Sequence, residues 1–136
     1  MPTTSARPSI IPCLTYRDAP AAIDWLCRAF GFEKKVAYEG QDGTIAHAEL
    51  RLGPGYVMLG SQKQDEFNWR PPVEAGLSTQ MIYIVVEDSD ALFARATAAG
   101  AEVVRPLSDT DYGSRDFSVR DPEGHIWNFG TYHPDD

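Results

Sequence analysis

The sequence predicts an α+β fold built from two tandem βαβββ modules, and three landmarks repeated in the same order predict it. Asp18 and Asp88 each end a strand-like run and open a helix-like one. Gly31 and Gly100 each close that helix, and Pro54 and Pro122 each sit in the turn before a last strand. The separations are 70, 69 and 68 residues, a drift of one per landmark that marks an internal repeat. At 136 residues the chain makes one domain. Residues 9–62 form the first module, 63–77 a linker and 78–132 the second module.

Each element has a local reason. Ile10–Tyr16 is β-prone, and Pro12 marks it as an edge strand or a strand start. Asp18 can cap the next helix, with Pro20 tolerated in its first turn. Ile23, Leu26, Cys27 and Phe30 follow at helical spacing, and Gly31 supplies the stop. Thr44–Gly53 alternates as a strand, with Ala46, Ala48, Leu50 and Leu52 expected under a helix. Its other face carries Ile45, His47, Glu49 and Arg51 and meets either water or a cleft. Gly53-Pro54-Gly55 then turns the chain into the strand Tyr56–Leu59.

In the second module Met81–Val86 forms a strand. Asp88, Ser89 or Asp90 can cap the helix, whose buried stripe is Leu92, Phe93 and Ala96. The run Asp116–Arg120 enters the turn Asp121-Pro122-Glu123-Gly124, and His125–Tyr132 leaves it. The loop Asp109–Arg115 contains a glycine and acidic residues and is a candidate lid. The linker has neither period and is stiffened by Pro71-Pro72. A connection of that length commonly covers a site. Its Trp69 packs either onto a ligand or onto the protein body.

Composition removes several classes. The net charge of −8 disfavours nucleic acid, whose phosphates require a basic face. No apolar run approaches the roughly 20 residues that span a bilayer, and the N-terminus MPTTSARPS reads as a flexible lead-in rather than a signal peptide. The expected location is the cytoplasm. Cys13 and Cys27 make no disulfide or zinc spacing and are expected to be buried reduced thiols. A P-loop, a dinucleotide fingerprint, a nucleophile elbow and an HExxH helix are all missing. Nucleophilic catalysis by Cys13 requires a histidine near it in space. Arg115 can bind an anion bidentately, or pair with Asp111 or Asp116 and only fix its loop.

Several stretches together resemble the vicinal oxygen chelate superfamily, which includes glyoxalase I, extradiol dioxygenases, fosfomycin-resistance enzymes and bleomycin-resistance proteins. They are Tyr16-Arg17-Asp18-Ala19-Pro20, Ala29-Phe30-Gly31-Phe32, Ala46-His47-Ala48-Glu49-Leu50, Tyr83–Asp90, Tyr112-Gly113-Ser114-Arg115 and the closing DPEGHIWNFGTY. The likeness covers about residues 9 to 132 and points to the PhnB-like, glyoxalase/bleomycin-resistance branch.

It implies curved mixed sheets around a cavity with the helix outside each module. The family's metal ligands come from the first and last strands of both modules. Those positions fall here at Pro12, Leu59, Gln80 and Asn128, with Met81 an alternative register for the third. Proline and leucine offer no donor atom, and amides are weak ligands. The resemblance therefore implies a small-molecule-binding protein without the usual metal, a homodimer with no nucleic-acid or membrane partner.

The ligand expected is cationic and aromatic. Trp69, Gln80, Tyr112, Arg115 and Asn128 are the candidate ligand-binding residues, and Trp127 and Phe129 are further stacking surfaces. The alternative is a metal-dependent lyase or dioxygenase with its divalent metal displaced onto His47 and Glu49 together with Gln80 or Asn128. A metal-free enzyme would use His47 as general base or acid, Glu49 as its orienting partner and Arg115 as anion anchor. A third reading keeps the fold and assigns a protein-interaction role.

Overall fold

The computed structural model describes residues 7–136, so the lead-in expected at the N-terminus lies outside the described residues up to position 6. The first module contains β1 (Cys13–Tyr16), α1 (Ala19–Phe30), β2 (Glu33–Glu39), β3 (Ile45–Leu52) and β4 (Gly55–Ser61). A four-residue helix, α2 (Pro72–Ala75), interrupts the connection. The second module contains β5 (Met81–Val85), α3 (Ser89–Ala98), β6 (Glu102–Asp109), β7 (Arg115–Arg120) and β8 (Ile126–Gly130).

The strands make two four-stranded mixed sheets, ordered β1-β4-β3-β2 and β5-β8-β7-β6. In each, the first strand runs parallel to the fourth and the remaining pairs are antiparallel. The two halves thus share one topology, as the repeat predicts. Pro12 precedes the edge strand β1 and contributes only its carbonyl, which accepts from Met58 N at 3.0 Å. Asp18 and Asp88 cap their helices by accepting from Ala21 N at 3.2 Å and Ala91 N at 3.0 Å. Gly31 ends α1 in the left-handed conformation, at φ 88°.

One core serves both modules. Ile23, Leu26 and Phe30 of α1 are buried with Ala48, Leu50, Val57 and Leu59 of the first sheet. Phe30 also reaches the second sheet, where its ring lies 5.2 Å from Trp127 and 4.9 Å from Phe129. Trp127 and Phe129 are therefore fully buried and are not ligand-stacking surfaces. They alternate inward on β8, where burying a large side chain contributes roughly 1.5–3 kcal/mol.

Three further expectations are corrected. Cys13 is exposed, because it opens the edge strand on the face away from α1, and Cys27 is half-buried; both are free thiols. Burial, then Asp24, raises the Cys27 thiol against an opposing effect of Lys34. In β3, Ile45 is buried and Ala46 exposed, the reverse of strict alternation. The register slips there, from Tyr38 opposite His47 to Glu39 opposite Ile45, so Ala46 forms a bulge. In α3 only Ala96 of the predicted stripe is fully buried, with Leu92 and Phe93 half-buried.

The modules are joined at the turn Asp121–Gly124. Asp121 is 4% exposed. Its Oδ2 accepts from Tyr16 Oη at 2.6 Å and Trp127 Nε1 at 3.0 Å. Its Oδ1 accepts from the backbone N of Glu123 and His125. The Glu123 carboxylate receives Arg17 N at 2.5 Å and Asp18 N at 2.7 Å, satisfying free amides at the start of α1. At the far end of α1, Arg95 donates to Arg28 O and Cys27 O, while Trp25 Nε1 donates to Ala99 O. The linker docks on the same turn through Val73 N to Glu123 O at 2.9 Å. Gly124, at φ 93°, leaves room for it, since a Cβ there would lie 3.0 Å from Pro72 Cβ.

Glu123→Ala leaves two amide donors unpaired beneath a helix end and should cost about 2–3 kcal/mol in urea denaturation; a loss under about 0.5 kcal/mol would contradict this junction. Burial, followed by the neighbouring Asp121 carboxylate, holds the Tyr16 hydroxyl well above its ordinary value. Its contribution is complete below pH 10 and falls as pH rises from there toward the raised value. Tyr16→Phe should be less stable at neutral pH, and its deficit relative to wild type should shrink as pH rises above 10. A deficit constant across that range would show that Tyr16 does not titrate with folding.

Candidate functional site

Because the helices cover one face of each sheet, the opposite face stays open. On the first sheet it carries Cys13 and Thr15 from β1, Met58 and Gly60 from β4, and His47 and Glu49 from β3. The register places Glu49, Met58 and Cys13 in one row and Thr15 beside Gly60. Gly60 sits close against β3, where a Cβ would lie 3.1 Å from Ala46 O.

The linker closes this face. Trp69, 43% exposed, stands with Cys13, Thr15, His47, Met58 and Gly60 around a cavity of about 150 Å³. A second cavity of about 360 Å³ meets it at Cys13 and Trp69 and is bordered by Pro12, Gln80 and His125. His125 Nε2 donates to Thr15 O at 2.9 Å, so this ring is locked against the edge of β1. The linker thus runs beside the edge of β1.

His47 Nε2 lies 2.9 Å from Glu49 Oε2, and its ring stacks on Tyr38 at 6.3 Å and 18°. The imidazole is thus held upright by a carboxylate and backed by a phenol ring, with one side free toward the cavity. Cys13 and His47 border the same cavity, the spatial relation that sequence leaves open. Met58, Gly60 and His125 were not singled out from sequence. The alternation of Val57 and Leu59 inward against Met58 and Gly60 outward is the signal that exposes the first two.

The remaining candidate residues lie elsewhere. Asn128 is on the open face of the second sheet, opposite Tyr83 and Ser118. Its Oδ1 accepts from Ser118 Oγ and its Nδ2 donates to Ile82 O at 3.3 Å. Arg115 opens β7 and pairs with neither Asp111 nor Asp116. Its Nε donates to Asp90 at 2.8 Å and its Nη1 to Asp109 at 3.1 Å, so two carboxylates occupy the guanidinium proposed as an anion anchor. The segment before it is a closed turn rather than an open lid: Thr110 N donates to Ser114 O, and Ser114 N to Thr110 Oγ1, both at 2.8 Å.

Tyr112 is 62% exposed and meets Tyr132 edge to face at 5.6 Å. Burial, opposed by a hydrogen bond with Ser114, leaves the Tyr83 hydroxyl net raised, with Asp116 and Tyr112 adding to the rise.

The family's metal positions offer few free donor atoms. Pro12 and Gln80 border the second cavity, Leu59 is 4% exposed and packs into the core, and the Asn128 amide is already bonded. Met81, the alternative to Gln80, sits opposite Ile126 and carries a thioether. A catalytic divalent cation takes about three protein ligands, and this donor set does not fit one. Among the described residues no group of three or more His, Cys, Asp or Glu side chains is placed to hold a metal ion. Among them, too, no helix is long and apolar enough to cross a membrane.

Comparisons with known proteins agree with this geometry. The family model of the Glyoxalase/Bleomycin resistance protein/Dioxygenase superfamily matches residues 10–129. An uncharacterized protein of Mycobacterium tuberculosis H37Rv is 36% identical over 128 residues, which are 93% of this chain and 75% of that one. The crystal structure of TioX from Micromonospora sp. ML1 superposes with a TM-score of 0.72 at 36% identity, covering 91% of this chain and 98% of that chain. At 23% identity the fold is shared with the bleomycin-binding protein of Streptomyces verticillus, solved with copper(II)-bleomycin. There the TM-score is 0.65, with 96% of this chain and 100% of that chain covered.

His47 is part-exposed, and Glu49 is its hydrogen-bond partner. His47→Ala should therefore change stability by less than about 0.5 kcal/mol while weakening any ligand of the Trp69 cavity. A large drop in melting temperature would show instead that His47 is structural.

Proposed function

The chain belongs to the glyoxalase/bleomycin resistance protein/dioxygenase superfamily, and we propose that it binds and sequesters a cationic, aromatic small molecule without transforming it. One observation carries this reading: Trp69 stands over an open sheet face and makes a cleft with Cys13, Thr15, His47 and Met58. Trp69 and His47 offer two aromatic faces to a flat ligand, and Gln80 borders the adjoining cavity with hydrogen-bonding groups. The net charge of −8 favours a cation. The bleomycin-binding protein of the same fold takes such a compound.

In this reading the protein needs no metal cofactor, since the family positions carry no adequate donors. It works as a cytoplasmic homodimer.

One observation favours catalysis instead. The His47–Glu49 pair at 2.9 Å is an oriented imidazole, suited to move a proton for a bound substrate. A metal-dependent lyase or dioxygenase would need further ligands beside that pair.

Calorimetric titration with bleomycin-type compounds separates these readings. Sequestration gives heat at ligand concentrations around ten micromolar and a change in Trp69 emission, both weakened in Trp69→Ala. No heat at that concentration overturns it. So does stoichiometric zinc, nickel, iron or manganese in protein purified without chelator and lost in His47→Ala.

A further inference from the structure

Away from the Trp69 cleft, three tyrosines gather around one carboxylate. Tyr83, Tyr112 and Tyr132 are each at least 40% exposed, although large aromatic side chains ordinarily bury most of their surface. Tyr112 and Tyr132 meet edge to face at 5.6 Å and 85°, forming a corner. Tyr83 closes a third side, its hydroxyl donating to Tyr132 O at 2.7 Å.

Asp116 lies beside the Tyr83 and Tyr112 hydroxyls. Its Oδ1 accepts from Ser114 Oγ, and its Oδ2 lies 3.4 Å from Tyr112 Oη, a long contact that leaves acceptor capacity free. Asp116 has no cationic partner among the described residues. The nearest candidate in sequence, Arg115, is already held by Asp90 and Asp109. Gly130 provides the floor, where a Cβ would collide with Asp116 Oδ1 and Tyr83 Oη, so both side chains lean over the bare strand. The Ser114 hydroxyl fixes the arrangement further by accepting from Tyr132 N at 3.0 Å.

A desolvated ammonium is attracted to the faces of aromatic rings and to a carboxylate beside them. An anion is repelled by the same carboxylate, and a neutral apolar group gains nothing from it. We propose that Tyr83, Tyr112, Tyr132 and Asp116 form a binding site for an alkylammonium group. The site is separate from the Trp69 cleft and does not require that cleft to hold a ligand. If the cleft's ligand carries an ammonium tail, this is the feature of the second module suited to receive it.

The test uses the intact protein and tetramethylammonium, with aromatic-proton NMR as the readout. Tetramethylammonium should shift the Tyr83, Tyr112 and Tyr132 ring resonances together, with a Kd below about 10 mM. The neutral near-isostere tert-butanol should leave them in place. Asp116→Asn, which keeps an acceptor for Ser114, should weaken binding about fivefold or more. Tyr112→Leu, at a highly exposed position, should weaken it about two- to fivefold. The proposal is overturned if the neutral isostere shifts the same resonances equally, if Asp116→Asn binds as wild type does, or if the tyrosine rings do not respond. Bleomycin-type binding that perturbs Trp69 while tetramethylammonium leaves the tyrosines unmoved would remove this site and leave the proposed function standing.

Discussion

Everything else in the molecule rests on the way α1 is gripped at both ends by the other module. Glu123 supplies a carboxylate to the amides that begin the helix, and Arg95 supplies a guanidinium to the carbonyls that end it. The charges match the helix dipole, negative at the start and positive at the finish. With α1 so placed, Phe30 is inserted against Trp127 and Phe129, and two sheets share one core. Asp121 completes the junction by collecting four donors into one buried carboxylate. A buried charge is tolerable only when so fully satisfied.

That grip decides where function can lie. Both helix-covered faces are consumed by the core, so each sheet has one face left to offer. The same turn that holds α1 also anchors the linker, through Val73 and the space above Gly124. From that anchor the linker passes back over β1 and brings Trp69 above Cys13 and Met58. Stability and ligand access therefore share a hinge point: the Asp121–Gly124 turn fixes the roof of the cleft while contributing no residue to its walls. The two open faces differ in chemistry. The first presents an imidazole, a thiol and a thioether, and the second presents phenols and a carboxylate without a cationic partner among the described residues.

Much of the fold was legible because its signals are local. Asp18 and Asp88 cap within three residues, Gly31 stops its own helix, and the turns at Pro54 and Pro122 are each contained in four residues. The roles of Asp121 and Glu123 were not legible, because their partners lie 105 and 106 residues away and their acidic character resembles an ordinary solvated turn. Periodicity identified the two faces of β8 and could not tell which met the core, so Trp127 and Phe129 stood as possible stacking residues. The bulge at Ala46 also escaped, since one extra residue reverses the alternation without altering composition. Arg115 was legible as a paired cation, but Asp90 on α3 reaches it only through the tertiary fold. Of the cleft, His47 and Trp69 were legible as types; that they border one cavity depends on the tertiary fold.

As proposed, this chain holds a small aromatic cation in the Trp69 cleft and returns it unchanged. Native mass spectrometry of the protein after prolonged incubation with a bleomycin-type compound tests it most directly. The expected result is a complex whose mass is the sum of protein and intact compound, and a released compound of unaltered mass. A compound released with altered mass, or protein that stays ligand-free throughout, would contradict it.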